Sequence, residues 1–392
     1  MRRIAISLLK PGDVLGQPVR NERGDVLLQA GVLLTPELVS ALHKRRFYTV
    51  YINDGLADDV IPQDIVSDRV RAVTVRHIAD LFHAGTVAGR GKKDAIAQER
   101  HTLTLLEAVR RDVDLILNDV LDGNTLTGIT ALKSHDDYTF SHSVDVAVIA
   151  ILLGRTLRLS RDELRQLALG ALLHDIGKMF VPDELLNKPG PLTDDEMRTM
   201  QHHTVLGFNY LTDGAIGDYV ASHIAFQHHE RQDGCGYPRG LHGTNRLRRD
   251  ERERYYRDRI HPLAEVAAVA DVYSALSSDR PYRPAMTPEM IGTTLRQMAG
   301  AHLNDEALDA FFRTVPIFPV GAPVQLAGGR YDGYRGVVVE NVARRLDRPI
   351  VRLTLDPLGR TLVPDDLDTA TEPDGVLLTP EVPAPSLLAA VG

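Results

Sequence analysis

Between residues 125 and 316 the chain keeps apolar residues at helical spacing and threads histidines through them. A period near 3.6 residues, sustained over that length, calls for packed helices rather than sheet. The helix starts are marked as clearly as the faces. Ser160-Arg161-Asp162-Glu163 and Thr193-Asp194-Asp195-Glu196 each place a hydroxyl at the N-cap and a glutamate three residues on, a capping box. The first opens a helix with Leu164, Leu167, Ala168, Ala171 and Leu172 on its apolar positions. Helices that bury one face leave any polar group on that face in need of a partner. The middle of the chain therefore reads as an all-α bundle with ionisable side chains inside it.

The flanks read differently. In residues 1–60, Val26-Leu27-Leu28 and Val32-Leu33-Leu34 are β-like and are punctuated by Gly24 and Gly31. Thr35-Pro36 opens a short helix, and Phe47 to Ile52 reads as a strand, giving a small α/β module. Residues 61–124 read as a linker, ending in Gly-Arg-Gly-Lys-Lys, followed by a connecting helix. In that helix Leu106, Val109, Val113, Ile116 and Val120 form a stripe that feeds either the neighbouring core or a dimer seam. After the bundle, at 125–316, residues 317–375 carry short β-like runs separated by Gly, Asp and Pro turns, and 376–392 form a tail. The expected fold class is mainly α, with a helical bundle between a small α/β module and a small β domain.

Composition narrows the function. The formal net charge is -8, so duplex nucleic acid is not expected as a partner. No run approaches the roughly 18 apolar residues that cross a bilayer, so membrane insertion is not expected either. The apolar stretch Ile4–Leu9 is too short for a signal peptide, and a single cysteine fits a reducing compartment. The location expected is the cytoplasm.

The chemistry lies in the histidines. Leu172-Leu173-His174-Asp175-Ile176-Gly177-Lys178 puts an imidazole and a carboxylate side by side at a helix end, with Lys178 close enough in sequence to face the same site. His142, His203, His228, His229 and Asp271 lie in other helical segments. One histidine on an apolar face is ordinarily a satisfied core or surface group, but several on consecutive helices form a set of nitrogen and oxygen donors. That set suits Mn, Fe, Zn or Mg better than a thiolate-preferring metal. Two adjacent histidines cannot share one face of a regular helix, so His228 and His229 can serve neighbouring metals where a helix ends. His135, His202, His223, His242 and His261 are expected to be ordinary surface or supporting groups, and Cys235 carries no assigned chemistry. Glu230 either orients a ligand histidine or is solvated. Residues 244–258 are Arg-rich but also acidic, and read as a solvated surface loop or short helix or, more sharply, as a phosphate-facing lid or partner site.

The pair His174-Asp175 with a later Asp271 resembles the HD superfamily of metal-dependent phosphohydrolases. HDIGK followed by HHERQDGCGYP resembles the HD-GYP family of cyclic-di-GMP phosphodiesterases, and YTFSHS, HTVLG, VADVYSAL and DRPYR follow in family order. The resemblance is close over about 135–290 and implies an HD-type bundle. It implies His142, His174, Asp175, His203, His228, His229 and Asp271 as metal ligands for two divalent ions, iron or manganese, with Asp175 bridging. It implies Asp175 and Lys178 as catalytic groups, Lys178 contacting the bridging water or the phosphate, and Tyr237, Arg280 and Arg283 on substrate. The implied reaction opens the 3′–5′ phosphodiester of cyclic-di-GMP to linear pGpG, and further to GMP. A homodimer and signalling partners are expected with it. Rival readings are a phosphohydrolase for another cyclic dinucleotide or nucleotide, and a silent cyclic-di-GMP-binding scaffold. Two departures stand out: Ser274 replaces a frequent aspartate, and Tyr138 stands where three-metal members place a glutamate.

Overall fold

The computed structural model describes residues 1–20, 26–45, 47, 49–62, 65–86, 92–123, 138–188, 190–213, 218–248, 258–277, 286, 288–342, 345–372 and 377–380. The chain is mainly helical, with small sheets at both ends. The first segment holds β1 (Arg2–Ala5), β2 (Val14–Leu15), β3 (Val19–Arg20), β4 (Val26–Leu28), α1 (Pro36–Lys44) and β5 (Thr49–Asn53). Strand β5 lies between β1 and β2, antiparallel to both. Thr35 caps α1 by accepting the Leu38 amide, with Pro36 behind it. Val32-Leu33-Leu34 forms no strand, and Leu33 makes an isolated bridge to Val14. Leu15, Leu34, Leu42, Val50 and Ile52 close a small core.

The bundle runs through α2 (Asp68–Thr86), α3 (Lys92–Asp122), α4 (Tyr138–Thr156), α5 (Arg161–Leu173), a 3-10 turn at Ile176–Phe180, α6 (Asp183–Leu186), α7 (Asp194–Gln201), α8 (His203–Asp213), α9 (Tyr219–Gln227), α10 (Pro262–Leu276), α11 (Pro288–Gln297) and α12 (Asp305–Thr314). Both capping boxes form, at Ser160 and at Thr193. Helix α4 is buried nearly all round from Ser143 to Leu153 and packs on α2, α5, α10 and α12, so it is the axis of the bundle. The stripe on α3 goes into this core, with Val109, Val113, Ile116 and Val120 buried in it, rather than into a dimer seam.

Within residues 61–124 the expected connecting helix is α3, and the stretch expected to be linker holds a further helix, α2. Helix α2 pairs with α3, and Val75, Ile78, Leu81 and Phe82 join the same core as α4. Its apolar positions are interleaved with Arg69, Arg71, Arg76 and Asp80, which hid the helical face. Arg71 turns inward to meet buried Asp145 of α4 at 2.7 Å.

The last segment is an antiparallel sheet of β6 (Pro323–Ala327), β7 (Arg335–Glu340), β8 (Ile350–Leu355), β9 (Thr361–Asp368) and β10 (Leu377–Pro380), in the order β10-β6-β7-β8-β9. Strand β10 falls in the stretch read as tail, while 381–392 lie outside the described residues. This sheet touches the N-terminal module: Gly321 accepts the Arg3 amide at 3.0 Å, Val337 packs with Ala57 and Val60, and Arg352 pairs with Asp59. Among the described residues no helix is long and apolar enough to cross a membrane.

Candidate metal centre

Helix ends converge at one place in the bundle. His174 caps the C-terminus of α5, His203 opens α8 just after α7, and His228 caps α9. The last carbonyls of a helix have no intrahelical partner. Each of these rings uses one: His174 Nδ1 donates to Ala171 O at 2.7 Å, His203 Nδ1 to Met200 O at 2.7 Å and His228 Nδ1 to Ala225 O at 2.9 Å. A carbonyl only accepts, so the proton sits on Nδ1, and in the neutral ring Nε2 offers a lone pair to the interior.

Asp175 stands where these lone pairs meet. Its carboxylate oxygens lie 3.3 Å from His174 Nε2, 3.4 Å from His203 Nε2 and 3.8 Å from His228 Nε2. Lys178 Nζ donates to Asp175 Oδ2 at 2.6 Å, so Lys178 does face the site. The approach is set by Gly177. A Cβ there would lie 1.9 Å from His203 O and 2.5 Å from Gly207 N, so only glycine lets the 3-10 turn touch the start of α8. The sequence suggests a helix-ending glycine, but its structural use is this close packing. On the other side, His142 of α4 puts Nε2 3.0 Å from Asp271 Oδ1 of α10, and Asp271 lies 4.0 Å from His174 Nε2.

All seven expected ligands fall into three overlapping groups: Asp175 with His203, His228 and His229; His142 with His174 and Asp175; His174 with His228 and Asp271. Within each group the donor atoms lie within 4.8 Å of one another. Metal–nitrogen bonds of about 2.1 Å put adjacent ligand atoms roughly 3.0–3.4 Å apart. The 3.4 Å between His203 Nε2 and His228 Nε2 and the 3.0 Å between His142 Nε2 and Asp271 Oδ1 fit that spacing. His174 Nε2 and Asp175 Oδ1 are buried without a hydrogen bond. Lone pairs aimed at one another and at a carboxylate need a cation between them. The residues present fit a divalent metal, and the cluster is able to bind one.

The electrostatics point the same way for four of the five histidines. Burial lowers His203 to about 4 and His229 to about 3, keeping both neutral and ligand-ready. Burial lowers His142 and His228 as well. Burial also opposes charge on His174, but the carboxylates of Asp175 and Asp271 outweigh it and raise the ring. For Asp175, burial is overcome by Lys178 and the imidazoles, which hold the carboxyl well below its usual range.

The glycine-rich loop folds against this floor. Tyr237 donates its amide to His229 O at 3.2 Å, and its ring stacks on His229 with centroids 4.7 Å apart. Burial and the charges of Asp175 and Asp271 push its phenol up, so it stays protonated. A Cβ on Gly236 would meet the Arg231 amide and His229 O at 2.5 Å. Glu230 neither orients a histidine nor is solvated. It is buried and accepts the amides of Arg239 and Leu241, both at 2.8 Å, which pins the loop. Sequence reasoning missed a further anchor, in which Gln232 Nε2 donates to Glu265 Oε1 at 3.0 Å and Asn304 Nδ2 to Glu265 Oε2 at 3.2 Å. These three residues come from distant segments, and no local pattern joins them.

His202 is exposed, His261 caps α10, His242 lies beneath Gly234, and His223 meets Gln227 and Tyr219, so none joins the cluster. Arg280, Arg283, His135, most of the 244–258 loop and the Tyr138 side chain lie outside the described residues.

Residues 139–276 match the HD domain family, a span that contains every ligand named above. The central part of the chain is similar to HD domains, and its motifs resemble those of the HD-GYP type. The chain is 37% identical over 259 residues to the cyclic di-GMP phosphodiesterase PA4108 of Pseudomonas aeruginosa, covering 65% of this chain and 58% of that protein. It is 36% identical to the cyclic di-GMP phosphodiesterase response regulator RpfG of Xanthomonas campestris, covering 47% of this chain and 45% of RpfG. It is 34% identical to the 3′3′-cGAMP-specific phosphodiesterase 1 of Vibrio cholerae, covering 46% of this chain and 39% of that protein. The chain thus spans roughly half the length of these curated relatives. The HD-GYP resemblance read from HDIGK and HHERQDGCGYP is borne out at the level of this domain.

Proposed function

We propose that the chain hydrolyses a 3′–5′ phosphodiester of cyclic-di-GMP to linear pGpG. The observation that carries the reading is Asp175, shared between two donor groups and backed by Lys178. His142, His174, Asp175, His203, His228, His229 and Asp271 would hold two divalent ions, iron or manganese, with Asp175 between them. When bound, such ions supply positive charge to the phosphate and make water a nucleophile at neutral pH. Lys178 presents an ammonium beside Asp175, placed to share its hydrogen bonds between that carboxylate and a phosphate oxygen. Tyr237 closes one wall and offers a phenolic O–H donor. Arg280 and Arg283 would take the remaining phosphate charge or a guanine edge.

At Tyr138, four residues before His142, a phenol with an ordinary pKa of about 10 is a poor ligand. A two-ion site without a third carboxylate ligand there should make the first cut faster than the second, so pGpG accumulates. The reading also takes in a cytoplasmic location, a homodimer and signalling partners. It treats 1–60, 125–316 and 317–375 as separate units, supported by three apolar cores, and 61–124 as joined to the bundle by α2 and α3. A second reading, 3′3′-cGAMP as substrate, is favoured by the Vibrio relative. Product analysis on cyclic-di-GMP, 3′3′-cGAMP and cyclic-di-AMP, with manganese or iron under reducing conditions, tests both. Cyclic-di-GMP is expected to be cut fastest, with a pGpG phase. Preference for 3′3′-cGAMP would transfer the reading to that substrate, and no turnover on any of them would overturn it.

A further inference from the structure

His142 is held differently from the other rings, and the role of its partner Ser274 rests on the proposed metal site. His174, His203 and His228 each give Nδ1–H to a backbone carbonyl, which fixes one tautomer. His142 Nδ1 instead lies 2.8 Å from Ser274 Oγ, while its Nε2 lies 3.0 Å from Asp271 Oδ1. Asp271 and Ser274 sit one turn apart on α10, so one helix grips both nitrogens of the ring. Ser274 is 1% exposed, so water does not readily replace its hydroxyl.

A carboxylate only accepts, so the contact to Asp271 puts the ring proton on Nε2, and Nδ1 then accepts from the Ser274 hydroxyl. A cation between Nε2 and Asp271 demands the opposite tautomer, in which Nδ1–H donates to Ser274 Oγ. A hydroxyl can do either, because it donates and accepts. We infer that Ser274 is a positioning residue for His142, whose hydroxyl serves both tautomers and lets the His142–Asp271 pair exchange the Nε2 proton for a divalent ion with no polar atom of the pair left unpartnered. The bond made in the loaded site is the stronger one, because a cation polarises the imidazole that donates it. Losing the hydroxyl therefore costs the loaded form more than the empty one.

The test is a Mn²⁺ titration of chelator-stripped full-length chain, comparing wild type with Ser274→Ala, Ser274→Thr and Ser274→Val. Threonine and valine have the same shape and differ in the hydroxyl. Ser274→Thr should keep the wild-type affinity, while Ser274→Ala and Ser274→Val should lose about tenfold, the lower end of what such supporting partners contribute. Circular dichroism of the stripped proteins should be unchanged. In ring ¹⁵N spectra of stripped wild type, His142 should appear as the Nε2–H tautomer. Equal affinity for Ser274→Thr and Ser274→Val would overturn the inference, as would an Nδ1–H tautomer at His142 in stripped protein. A wild type that takes up no Mn²⁺ would instead overturn the metal-site reading itself, and this inference with it.

Discussion

The two sides of the cluster are built by different means. On one side His174, His203 and His228 hang from the last-turn carbonyls of α5, α7 and α9, so each ring direction is set by where a helix stops. On the other side His142 is gripped by Asp271 and Ser274, two side chains of α10. Backbone anchoring is insensitive to most substitutions but depends on how closely the helix ends approach. Side-chain anchoring depends on one hydroxyl and can change its hydrogen-bonding sense. Asp175 belongs to both sides, joining His203, His228 and His229 in one donor group and His142 and His174 in another.

The largest effect is expected where the sides meet. Asp175→Ala should release the metal and bring turnover down to background while the bundle stays folded, as judged by helical circular dichroism. Activity retained at saturating manganese or iron would break the account of a shared carboxylate. The backbone side can be struck alone through Gly177→Ala. A Cβ 1.9 Å from His203 O must push the 3-10 turn off α8, an overpacking that costs about 1–3 kcal/mol. Lower thermal stability together with lost metal content is expected, and wild-type values for both would show that the close approach does not set the cluster. Glu230→Gln acts on neither side. Replacing one acceptor oxygen by an amide NH₂ leaves Arg239 N or Leu241 N short of a partner, a loss of about 1–3 kcal/mol in loop anchoring. Metal content should be unchanged while KM rises severalfold, because the loop that carries Tyr237 loosens. A fall in metal content would mean that the loop supports the ligands directly.

The same contrast marks what could be read without coordinates. Helix ends write themselves into sequence: the capping boxes at Ser160 and Thr193 formed as expected, and His174 and His228 sit at the helix ends that their local motifs suggested, while the place of His203 between α7 and α8 had no such signal. The His142–Ser274 contact joins residues 132 apart, and no periodicity predicts it, although Ser274 drew notice as a departure from a common aspartate. Glu230 carried two open readings, and the structure supports a third, because its partners are backbone amides nine and eleven residues on, with no side-chain signature. Helix α2 escaped notice because inward-turning Arg71 looks like surface charge until Asp145 is placed opposite it.

The central claim is that these seven side chains hold a pair of ions, and metal content per chain measures it most directly. Full-length protein purified without chelator under reducing conditions, then analysed by elemental mass spectrometry, should carry close to two iron or manganese ions per chain. Asp175→Ala prepared in parallel should carry almost none. A wild type with no more metal than Asp175→Ala, or with three tightly bound ions per chain, would contradict the account.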